Sequence, residues 1–142
     1  MRAKFLCLCA LMFILGGFTR GQQPEQDPIG QNLFPPELVM QNQEAVALSG
    51  EQRDYLKTEI RQAQLKFTEL QWKLQDEMEK LVALVKRPRV DEQQVLGQLD
   101  KVLTAEREIK KQQVTLLVRI KNKLTAEQQA KLADLRGRPG SK

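Results

Sequence analysis

Chemistry at a side chain needs a group that can exchange a proton, attack carbon or hold a metal near neutral pH, and such groups are scarce here. The 142 residues contain no histidine, and the two cysteines are Cys7 and Cys9. The charged groups are carboxylates, lysines and arginines spread along helical sequence. Glu77 and Glu79 beside Lys80 have the spacing of surface ion pairs rather than of an acid–base dyad. No glycine-rich phosphate loop is present. Met40 and Met78 are soft ligands, but each lies on an apolar stripe and reads as a packing residue. No catalytic residue, no metal site and no cofactor is expected, and the chain is not expected to be an enzyme.

The informative spacing is a repeat. Leu48-Ser49-Gly50-Glu51-Gln52 recurs as Leu124-Thr125-Ala126-Glu127-Gln128, 76 residues later. A hydroxyl at the N-cap accepts the N–H of the third residue on, and a glutamine there reaches back to the cap's own N–H. Each copy therefore opens a helix. Asp91 followed by Gln94 is a third start signal. Pro88, within Lys86-Arg87-Pro88-Arg89, cannot donate to a helical ladder and marks a turn.

Four helices follow from these signals, at about 36–47, 49–87, 91–123 and 125–136, with ends uncertain by about two to four residues. The second carries Leu56, Ile60, Ala63, Phe67, Leu70, Leu74, Met78, Leu81 and Val85 at steps of three and four, one apolar stripe. The third carries Leu96, Leu99, Leu103, Leu117, Ile120 and Leu124, interrupted by Glu106, Lys110 and Gln113. A tight turn makes the two helices antiparallel, and the stripes are expected to bury each other. A two-helix rod about 55 Å long cannot enclose a core. A homodimer is the simplest source of further burial.

The termini read differently. Met1 to Lys4 is basic, and residues 5–18 form an uncharged apolar run too short to span a bilayer. Small residues follow, so 1–21 reads as an export signal, leaving a mature chain without cysteine. Removing Arg2, Lys4 and Arg20 from 23 basic residues leaves 20 against 18 acidic, and nucleic acid is excluded as a partner for want of a basic field. Residues 22–35, rich in proline and glutamine, read as a flexible arm, and 137–142 as a disordered tail.

A signal segment, a long helical hairpin and two L-[S/T]-x-x-Q helix starts, formed by Leu48, Ser49 and Gln52 and by Leu124, Thr125 and Gln128, resemble the LTxxQ family of periplasmic proteins. The Spy, CpxP, ZraP and CnrX proteins belong to it. The resemblance covers about residues 36–136. It implies an all-α, cradle-shaped antiparallel dimer. Spy-like members bind unfolded proteins on a concave face without ATP, and CpxP- and CnrX-like members contact a membrane signalling protein. The metal-linked branch uses histidines, which this chain lacks. The first copy has serine for the usual threonine, which preserves the cap.

Leu65 and Trp72 lie seven apart, away from the main stripe of the second helix. Lys66, Lys73, Lys80 and Arg87 form a row at the same step. The pair is either a second packing surface, for a dimer or a flanking helix, or an apolar patch open to clients with the lysines beside it. The expected function is an ATP-independent periplasmic chaperone. The alternatives are an envelope-stress or metal-resistance regulator contacting a membrane sensor protein, and a structural coiled coil.

Overall fold

A computed structural model describes residues 29–136. The expected export signal, residues 22–28 of the arm and the tail lie outside the described residues. Among those described there are four α-helices and no strand: α1 (Pro36–Gln41), α2 (Gly50–Val85), α3 (Glu92–Lys123) and α4 (Ala126–Arg136), preceded by a 3-10 turn at Gly30–Asn32. The expected all-α hairpin with short flanking helices is the observed architecture.

The start signals work as their chemistry requires. Ser49 Oγ accepts the Gln52 N–H at 3.1 Å, and Gln52 Oε1 accepts the Ser49 N–H at 3.0 Å. The Thr125 box repeats this at 3.2 and 2.9 Å. Asp91 Oδ1 accepts the Gln94 N–H at 3.0 Å. Helix α2 stops at Val85, two residues before the one preceding Pro88.

Helix α1 is shorter than the expected 36–47. Asn42 Nδ2 donates to the Leu38 carbonyl at 2.7 Å, a side-chain bond that competes with the helical ladder. The chain then winds through turns to Ala47, which sits at φ 51°. The core also begins before the expected boundary at 36, because Leu33 and Phe34 are buried. Arg136, in the last turn of α4, ties this entry down. Its guanidinium donates to the Gly30 and Gln31 carbonyls at 3.3 and 2.6 Å and to the Leu33 carbonyl, and it lies 5.3 Å from the Phe34 ring centre.

The core lies at one end of the hairpin, its base. Phe34, Val39, Val46 and Leu48 from the N-terminal segment meet Leu56 of α2, Ile120 of α3, Leu124, and Leu132 of α4. Ion pairs Glu51–Lys123 (2.7 Å) and Glu59–Arg119 (2.8 Å) brace the same end. Above the base only α2 and α3 remain. The Gln98 amide donates to the Glu77 carbonyl and carboxylate at 2.8 and 2.6 Å. That register sets Leu70 level with Ala105, both buried.

The seam of α3 is therefore not the expected leucine stripe. Gln98, Val102, Ala105 and Ile120 are buried, whereas Leu96 and Leu103 are 51% and 50% exposed. The base holds most of the burial and orients α3 through Ile120. Running back from Ile120 in steps of three and four gives 116, 113, 109, 105, 102 and 98. Leu99 and Leu103 fall one residue off that row, about 100° round the helix. The stripe of α2 is likewise incompletely covered, with Met78 and Val85 at 40% and 50% exposed.

Candidate functional site

Two cavities fix which side of the hairpin each row faces. Ile60, Gln64 and Phe67 of α2 share one cavity with Gln112, Gln113 and Leu116 of α3, roofed by Pro36 and Glu37 of α1. Lys73 and Glu77 share another with Asp100, Lys101 and Thr104. The first defines the side covered by α1 at the base, and the second a polar side.

Continuing from Phe67 in steps of three and four, α2 presents Gln71, Leu74, Met78 and Val82 on the α1 side. From Gln113, α3 presents Lys110, Glu106, Leu103, Leu99 and Leu96 on the same side. In an antiparallel pair both rows face one way. The base of this side is closed by α1, and its distal half has no cover among the described residues. There Leu74, Met78, Val82 and Ala83, with Gln71, Gln75, Glu79 and Lys86, line an open groove of about 690 Å³. Met78, Val82, Val85, Leu96 and Leu103 are all more than a third exposed.

The residues singled out in the sequence are arranged otherwise. Leu65 and Trp72 are exposed, at 66% and 63%, but they lie on the outer back of α2, away from both the seam and the distal face. The lysine row runs along the polar side. Lys66 pairs with Glu69 at 2.9 Å and Lys80 with Glu77 at 2.8 Å. The Glu77 bond holds Lys80 above the usual ammonium range, and the bonds from Lys80 and then Gln98 hold the Glu77 carboxyl below the ordinary carboxylate range. Two of the three lysines thus carry local counter-charges, and the row does not border the groove.

Sequence reading missed the distal face because periodicity alone assigned Met78, Val85, Leu96 and Leu103 to the seam. A usable signal was present. Helix α3 carries a second row, Val95, Val102, Ala105 and Ile109, at helical spacing beside the leucines, so its apolar arc is wider than one partner helix can cover.

The motif residues Leu48, Ser49, Gln52, Leu124, Thr125 and Gln128 converge at the base. Leu48 and Leu124 are buried in the core, and the two glutamines touch. These residues hold the base together. No group of three or more potential ligands (His, Cys, Asp, Glu) that could hold a metal exists among the described residues.

The family model described as heavy-metal resistance matches residues 6–131. The chain belongs to the heavy-metal resistance family. That family is related to the Spy-, CpxP- and ZraP-like periplasmic proteins with the repeated motif, in agreement with the resemblance drawn from Leu48–Gln52 and Leu124–Gln128. No curated protein and no solved structure matches the chain. Among the described residues of this family member, no helix is long and apolar enough to cross a membrane.

Proposed function

We propose that the protein is an ATP-independent chaperone of the periplasm that holds non-native polypeptides on the distal apolar face of its hairpin. The observation that carries this reading is the uncovered row Met78, Val82, Leu96 and Leu103. A groove with an apolar floor of Leu74, Met78 and Val82, flanked by glutamines and by Glu79 and Lys86, offers contact to exposed core segments without reading their sequence. Holding such segments lowers the concentration of aggregation-prone chain. Membership of a family related to Spy-like proteins supports the same reading. No step of it needs a catalytic residue or a cofactor.

The family's description favours a second reading, a metal-resistance or envelope-stress regulator that contacts one membrane sensor protein. One experiment separates the two. Aggregation of two unrelated clients is followed by light scattering with and without the protein, in the absence of ATP. The chaperone reading expects protection of both, and weaker protection by Leu103→Ser and Met78→Ser. Those positions are exposed, so melting should stay near that of the parent. Failure to protect either client would sink the chaperone reading and leave the regulator.

A further inference from the structure

The side of the hairpin that carries the distal groove already holds a helix at its base. Pro36 and Glu37 of α1 stand over Ile60, Phe67 and Leu116 around a cavity of about 220 Å³. Val39 of α1 is buried in one cluster with Leu56 and Ile120. Beyond α1 the exposed Gln113, Lys110 and Glu106 interrupt the apolar lining of this side. It resumes with Leu74, Met78, Val82 and Val85 of α2, opposite Leu103, Leu99 and Leu96 of α3. Leu74 to Val85 spans about 17 Å, or about three helical turns.

Both walls of this stretch are α-helices, whose backbone N–H and C=O groups are spent on their own ladders. No strand exists among the described residues, so no sheet edge is on offer. An extended segment laid here would bring backbone groups that the walls cannot pair, against an apolar floor. It would also cover the 17 Å with about five residues, of which only alternate ones face the groove. A helix of about eleven residues covers the same length with its backbone already satisfied. Spaced at i, i+3 or i+4, i+7 and i+11, it turns about four apolar side chains to the floor.

Taking the distal face as the client site, we infer that it selects conformation: the bound segment is an amphipathic helix of about three turns, seated as a third helix in line with α1. The occupant so defined continues an interface that the fold already makes, because α1 lies on the same side against the same two helices. Glu79 and Lys86 stand at the rim of the groove, and Glu106 and Lys110 at its inner end. Charges of both signs at each end leave the net charge of the segment unread. The spacing of its apolar residues decides.

Two labelled peptides of about eleven residues and identical composition test this on a chain of residues 22–142, which keeps every described residue. One places its leucines at helical spacing and the other at alternate positions. An isolated helix this short is marginal in water, so helix in the bound peptide, read from carbon-13 chemical shifts, reports the bound form. The first peptide should bind at least about ten-fold more tightly, since it buries more apolar side chains and no unpaired backbone. Met78→Ser and Leu103→Ser should each weaken its binding by roughly five-fold, and circular dichroism verifies that both variants fold. Equal or tighter binding of the alternating peptide, or a bound peptide without helix, would overturn the selection of helices. If aggregation is still suppressed, and less so by Met78→Ser, the chaperone reading survives that result. Variants that bind the helical peptide like the parent would place it elsewhere and overturn the inference. A sedimentation mass that falls on Met78→Ser would seat a second copy in the groove, and would overturn it equally.

Discussion

The side-chain amides of Gln52 and Gln128 hold each other. Gln52 Nε2 donates to Gln128 Oε1 at 2.8 Å, and Gln128 Nε2 returns a bond to Gln52 Oε1 at 3.0 Å. Each oxygen also accepts the N–H of its own cap residue, Ser49 or Thr125. The spare amide hydrogens go to the Lys123 carbonyl at 2.8 Å and the Ala47 carbonyl at 3.4 Å. The two copies of the motif are thus one device: each caps its own helix, and together they fasten the start of α2 to the start of α4.

This coupling is measurable. Ser49→Ala or Thr125→Ala should cost about 0.5–2 kcal/mol by loss of the cap acceptor. Gln52→Ala and Gln128→Ala should each cost a similar amount, and the double variant should fall short of their sum by at least about 0.5 kcal/mol. Chemical denaturation of the four proteins closes the cycle. Strict additivity would mean that the glutamine pair contributes no coupling.

Ala47 presents its carbonyl to this clasp from a left-handed conformation, φ 51°. A Cβ there costs roughly 1–2 kcal/mol, and glycine does not incur it. Ala47→Gly should therefore raise the melting temperature despite the greater freedom of glycine in the unfolded chain. A lowered melting temperature would show that the conformation is not strained.

Two carboxylates link stability to acid. Hydrogen bonds from Lys80 at 2.8 Å and Gln98 at 2.6 Å hold Glu77 below its ordinary value of 4.5, and the Lys123 bond does the same for Glu51. A depressed folded value means the contribution is complete above the unfolded value and is lost as pH falls through the folded one. The melting temperature should stay level from neutrality to about pH 5 and fall below it. Glu77→Gln should flatten that acid limb. The effect should be small and shrink with added salt, because the pairs face solvent. An acid limb identical in Glu77→Gln and the parent would assign the loss to other groups.

Stoichiometric zinc or copper should leave melting of a chain of residues 22–142 nearly unchanged. Tight binding to the folded state raises stability by mass action, and those residues contain neither cysteine nor histidine, so they offer neither thiolate nor imidazole. A large metal-dependent rise, measured by calorimetry, would point to ligation by carboxylates or methionines and favour the metal-linked reading.

Local chemistry was legible in the sequence. Helix starts at Ser49, Asp91 and Thr125 depend on a side-chain oxygen and an N–H three residues away, so neighbours in sequence determine them. The hairpin turn at Pro88 follows from a missing N–H and a fixed φ. The family resemblance rests on the same short-range signals. The end of α1 was not legible, because Asn42 can continue a helix or fold back on Leu38, and the choice belongs to the packing of Val46 and Leu48 into the core.

The orientation of the long helices was decided by tertiary structure alone. Periodicity groups Leu96, Leu99 and Leu103 into a row but cannot say where the row points. Ile120, Leu56 and Leu132 are buried together at the base, and the Gln98–Glu77 bond holds the register above it. A helix is stiff, so an orientation set at one end is carried along its length. A difference of one residue, about 100°, then turns three leucines from the seam to an open face. The same rotation leaves Leu65 and Trp72 on the back of α2. The sequence determined that these apolar residues exist in excess of what a hairpin can bury, and the packing at the base determined which surfaces they form.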